Sequence, residues 1–179
     1  TLIALGESVL AATLAIQAAD GIGFGFDLVA LVVGGLLTMF SMWWLYFDAP
    51  AQQFLSHSNR DAFVWGYGHI LIFAAAAAVG AGLAVTVDSL KQAHGDAGHH
   101  PISTLTAGLS VAVPVALYVL SIWLLQLRPL KRPRTFGVAF GLTAALVVAA
   151  AWTPCPILVI GGLMAALVAW TVRVSARPT

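Results

Sequence analysis

Charge is what this sequence has least of. Only 8% of its 179 residues are Asp, Glu, Lys or Arg, against about 25% in an ordinary soluble domain. So few charges cannot cover a globular surface in water, and most of the outside must face lipid. Cysteine is nearly missing: Cys155 stands alone, which excludes an internal disulfide framework and a cysteine-based metal site. There is no basic leader followed by a small-residue cleavage site, the mark of a secretory signal peptide. A net charge of +1 carries no nucleic-acid signal. Catalytic patterns are absent too. There is no His-Glu-x-x-His. Ser8 directly follows Glu7, and at about 3.6 residues per turn helical neighbours diverge by roughly 100°, so the two make no nucleophile–base pair. These absences predict a non-enzymatic protein with no cofactor, no metal and no nucleic-acid partner.

What is present is grease: 60% of the residues are hydrophobic and mean hydropathy is +0.95. A bilayer core of about 30 Å needs roughly 20 apolar residues as helix. Six stretches meet or approach that length, at about 1–18, 27–47, 63–87, 104–127, 135–152 and 157–172. The expectation is one all-α domain, a polytopic integral membrane bundle of six transmembrane helices, with the lipid bilayer as its first partner. The chain opens on Thr1 inside an apolar run and reads as part of a longer protein, with further N-terminal helices of the same chain as partners.

The connectors are informative. Asp27 reads as the N-cap of the second span, and Gly34 and Gly35 permit close packing there. Met42-Trp43-Trp44-Leu45-Tyr46-Phe47-Asp48 is an aromatic belt closed by a charge, as expected at a membrane–water boundary. The link 49–62 is polar and short. The third span carries small residues at its centre, Ala74 to Ala78 and then Gly80 and Gly82, suited to helix–helix contact. The loop 88–103 holds His94, His99 and His100 among glycines, without ligand spacing on a regular element, and reads as solvated. Pro114 predicts a kink in the fourth span. Gly137 and Gly141 have the spacing of a close-packing motif, and Thr153-Pro154-Cys155-Pro156 forces a tight hairpin.

Basic residues set the orientation. Six spans leave Arg60, Arg128, Lys131, Arg132, Arg134, Arg173 and Arg177 on one side and Lys91 alone on the other. Short loops rich in Lys and Arg stay in the cytoplasm, so both ends of the segment are expected there. Within the membrane, ionisable groups are few. Glu7 lies deep in the first span, flanked by Gly6 and Ser8, and His69 lies near the cytoplasmic start of the third. A carboxylate in hydrocarbon costs roughly 2.5–3.5 kcal/mol or more, so it should face the bundle interior and have a partner. Glu7 with Ser8, His69 and Asp48 are the candidates for an intramembrane polar site, and Arg60 is the natural interfacial partner of Asp48. Two readings follow. In one, these groups line a cavity that binds or relays a small ion or solute. In the other, they form a buried network that fixes helix packing.

Leu5-Gly6-Glu7-Ser8, Trp43-Trp44-Leu45-Tyr46-Phe47-Asp48 and Tyr67-Gly68-His69 together resemble the bacterial low-temperature-requirement A family. The resemblance rests mainly on Thr1 to about Gly82, while the later spans agree by hydropathy. It implies a multi-spanning protein of the bacterial inner membrane, of which this chain is roughly the C-terminal half. It implies no established substrate or catalytic residues. A transporter or channel-like protein and a non-transporting protein that supports the envelope in the cold are both compatible with it.

Overall fold

A computed structural model describes residue 13 and residues 25–48, 59–93, 102–127 and 134–175. These residues form helices without strands: α1 (Phe26–Phe47), α2 (Asn59–Ala93), α3 (Thr104–Ile122), α4 (Arg134–Ala149) and α5 (Pro156–Ser175). A π-helical turn, Trp123–Leu127, continues α3, and a 3-10 turn, Ala150–Trp152, continues α4. All five helical segments are long and apolar enough to cross a membrane. The expected six spans thus correspond to five among the described residues. The first predicted span, 1–18, lies outside them, and so do Glu7 and Ser8.

Element boundaries follow local chemistry. α1 begins one residue before the expected start, with Gly25 as N-cap and no side-chain cap bond. Asp27 is therefore not the cap; it sits exposed in the first turn, where a carboxylate still favours the positive helix end. α2 is longer than expected at both ends, because the polar residues 59–62 and 88–93 continue the helix. α3 starts where the Ser103 hydroxyl accepts the Thr106 N–H at 3.1 Å. At the 153–155 hairpin the Thr153 N–H and hydroxyl both reach the Ala150 carbonyl. Pro156 then opens α5, in the first helical turn where its missing N–H costs nothing.

α1 and α2 each bury a stripe. In α1 it runs through Leu31, Gly34, Thr38, Ser41 and Leu45, and in α2 through His69, Ile72, Val79, Leu83 and Thr86. Steps of three and four keep such stripes facing a partner. Large side chains such as Phe40 and Val138 point outward, each 68% exposed, as lipid contact allows. The main pairings are α2 along α3 and α1 along α5, with α4 bridging α3 and α5. α1 barely meets α2, its neighbour in sequence. α3 is central, and its Val111, Ala112, Val115 and Val119 are fully buried.

Glycines make the two main crossings. A Cβ on Gly34 would collide with the Ile157 carbonyl, and one on Gly161 with the Gly34 carbonyl. A Cβ on Gly82 would collide with the Ser110 carbonyl. The glycine Cα hydrogen occupies that missing direction, so these are Cα–H···O approaches between backbones. Pro114 lies inside α3 and offers no N–H to the Ser110 carbonyl; that oxygen is the one set against Gly82. The expected Gly137 and Gly141 pair divides: Gly137 lies against the Trp123 ring, while Gly141 faces open space. Its spacing matches a packing motif, but only one of the two glycines is on the buried side.

Candidate functional site

The helices alternate in direction, so each end of the bundle gathers its own side chains. The end reached by the C-termini of α1, α3 and α5 carries Arg60, Arg134 and Arg173 along the chain, and the opposite end carries Lys91.

At the basic end, α2 carries His69 inward, 8% exposed. Its ring meets Tyr46 of α1 edge-on at 5.9 Å and Phe73, one turn along α2, at 5.8 Å. Next to it the Leu125 side chain fills the space over Gly68, which lets α2 come close to the end of α3. The Tyr118 hydroxyl, buried, donates to the Met42 carbonyl at 2.7 Å and joins α3 to α1. The π-helical turn turns Gln126 inward to 4% exposure, and its Oε1 atom meets no donor among the described residues. A buried amide oxygen left without a donor costs about 1–3 kcal/mol, which makes Gln126 a polar group for which the described residues supply no donor.

Of the expected site residues, His69 is therefore in the interior, beside the end of α1. Asp48 ends α1, exposed, with its N–H donating to the Trp44 carbonyl at 2.9 Å. Tyr46, two residues earlier, meets the imidazole edge-on. Arg60 lies in the first turn of α2, and its side chain falls outside the description. The expected convergence of Glu7 with His69 lies outside the described residues, as does the histidine loop 94–100.

The opposite end holds a cleft that the sequence did not reveal. It has about 70 Å³ of room, where a single water needs roughly 10–15 Å³. Four elements form it: the first turns of α1, the last turns of α2, the start of α3, and the 154–158 hairpin. Leu31, Leu90, Ala107, Pro156 and Ile157 supply apolar walls, and Asp27, Thr86, Ser89, Thr104 and Cys155 the polar lining. Nearby, the Gln92 side chain accepts the Ile102 N–H at 3.0 Å and ties the end of α2 to the approach of α3. Asp27 and Thr104 look like helix-start residues in the sequence and Thr86 like a mid-helix threonine. Only the α1–α5 and α2–α3 crossings bring them to one place.

Residues 1–172 match a family model described as bacterial low temperature requirement A protein, LtrA. No curated protein and no solved structure matches the chain. The match runs well past Gly82 and takes in α3, α4 and most of α5.

Proposed function

The chain belongs to the bacterial low temperature requirement A family, and from that premise we propose a transporter or channel-like protein of the bacterial inner membrane. Its cargo is a small ion or solute, and Glu7 and His69 carry its polar site, with Ser8 beside the carboxylate. The orientation proposed with it places both ends of the segment in the cytoplasm, since short basic connectors stay on that side. Asp48 and Arg60 complete the site as an ion pair at the cytoplasmic surface. The protein performs no chemistry of its own.

One observation carries the reading. His69 is buried in the interior of an apolar helix. A titratable ring in that position is costly to keep, and intramembrane ionisable groups mark ion and proton pathways. A second reading draws on the closeness of the glycine crossings and the fully buried valines of α3. In it the bundle is a rigid scaffold that supports the envelope, and His69 serves packing alone.

Solute flux into liposomes holding the full-length protein separates the two. Transport predicts that Glu7→Gln and His69→Gln each lower flux at least about tenfold while the unfolding midpoint stays within the small range of a neutral substitution. No flux above that of empty liposomes would remove the transport reading and leave the scaffold, and variants that keep wild-type flux would remove Glu7 and His69 from the site.

A further inference from the structure

We propose that the bundle moves as two bodies, α1 with α5 and α2 with α3, which rock against each other so that the basic end parts as the opposite cleft closes. The motion rests on the transport reading for its purpose. Its test reads distances and not flux, so either can fail alone.

Contacts within the pairs and between them differ in kind. Within each pair backbone meets backbone. A Cβ on Gly34 or Gly161 would collide with the backbone of the other helix, and so would one on Gly82 with Ser110. The Thr86 and Ser110 hydroxyls add bonds from α2 to α3, to the Ala107 and Gly82 carbonyls at 3.5 and 3.2 Å. Helices packed with no spare room move together.

Between the pairs, single side chains meet. α1 touches α2 and α3 little, and α3 touches α5 little. Where Gly35 of α1 faces Leu83 of α2, an added Cβ would fit, 3.7 Å from the nearest methyl. Toward the basic end the seam is held by the Tyr46–His69 edge contact and by the Tyr118 bond to the Met42 carbonyl. α4 packs more on α3 than on α5. It meets the end of α5 through Phe136 and Trp170, whose ring centroids lie 4.9 Å apart. Side-chain contacts of this kind permit the small sliding of packed helices that shear motions use.

The seam also has an axis and a direction. A Cβ on Gly108 of α3 would sit 3.2 Å from Ala151 and 3.3 Å from Pro156, so the start of α5 is pinned on α3. Gly34 meets Ile157, which puts this pin and the Gly35–Leu83 contact at one level. On one side of that level Tyr46 covers His69. On the other, the first turns of α1 and the last turns of α2 stand apart around the cleft of about 70 Å³. A rock about the level can close where there is room, at the cleft, and then parts the helices where side chains now meet. In the second state Tyr46 leaves His69, and the ring opens to the basic end.

The test measures spin-label distances in the full-length protein in lipid nanodiscs, with Cys155→Ala in an otherwise cysteine-free background. The labels sit on exposed positions. Phe47→Cys with Ile70→Cys spans the seam at the basic end, and Val29→Cys with Asp88→Cys spans it at the cleft end. Ile70→Cys with Leu124→Cys stays within one pair. Each seam pair should show two distances about 5 Å or more apart, the scale of a one-turn shift. The longer distance at the basic end should rise and fall with the shorter one at the cleft end, while the within-pair control stays single. Tyr118→Phe should enlarge the parted population roughly 3- to 20-fold, as loss of one hydrogen bond between membrane helices implies. A single narrow distance across the seam in both wild type and Tyr118→Phe, both ends widening together, or equal spread in the control would overturn the proposal.

Discussion

Tyr118 shows what one polar atom does in this bundle. Its hydroxyl reaches across from α3 to the Met42 carbonyl of α1 at 2.7 Å. α1 and α3 share little other surface, so this bond is a main link between them. Hydrogen bonds between membrane helices average about 0.6 kcal/mol and reach about 1.7. Tyr118→Phe keeps the ring and removes only that link, so it should lower unfolding free energy by about that amount in mild detergent. A change near zero would mean that the Met42 carbonyl finds another donor. Thr86 and Ser110 also reach across, to the Ala107 and Gly82 carbonyls, between α2 and α3, whereas two other buried hydroxyls act within their own helix. Thr38 donates to the Gly34 carbonyl and Ser121 to the Leu117 carbonyl, one turn back, which satisfies them without a partner helix. None of these roles can be read from residue type, because a hydroxyl that bonds within its helix and one that bonds across look alike in sequence.

At the scale of elements, small residues decide which helices touch. Water provides no driving force between helices in lipid, so association depends on close backbone approach. Gly82 and Gly80 lie two residues apart in α2 but differ entirely in surroundings: a Cβ at Gly82 meets the α3 backbone, and one at Gly80 meets nothing. Gly82→Leu should therefore push α2 off α3 and cost about 1–3 kcal/mol or more, the range for overpacking. Gly80→Leu should be close to neutral or mildly stabilising, since leucine is the better helix former. Denaturant titration of both variants checks this, and equal losses would show that α2 does not face α3 through Gly82. The small-residue centre of α2 was visible in sequence as 74–78 with Gly80 and Gly82. Which of those residues formed the contact was not, because the lipid-facing and protein-facing sides of α2 are both apolar and leave no hydrophobic periodicity to read.

At the scale of the whole molecule, alternating helices put the 153–155 hairpin and the end of α5 on opposite sides of the bundle. Arg134 and Arg173 belong to the side of α5's end, and Lys91 to the hairpin side. In intact cells, a membrane-impermeant thiol reagent should label Cys155 from outside and should not label Ser175→Cys in a Cys155→Ala background. Labelling of both from the same side would contradict the alternation, and the reverse pattern would invert the proposed orientation.

Length and hydropathy were enough to place α1, α3, α4 and α5 within a few residues of their observed ends, because spanning a fixed hydrocarbon thickness is a demand met along the chain. The proline hairpin was equally local. His69 stood out because a titratable ring in an apolar helix is rare enough to notice by itself. The contact of its ring with Tyr46, the inward turn of Gln126 and the assembly of the Asp27 cleft came only with the tertiary structure. In lipid, partner choice depends on shape complementarity between distant segments, and that leaves no periodic mark on the chain that makes it.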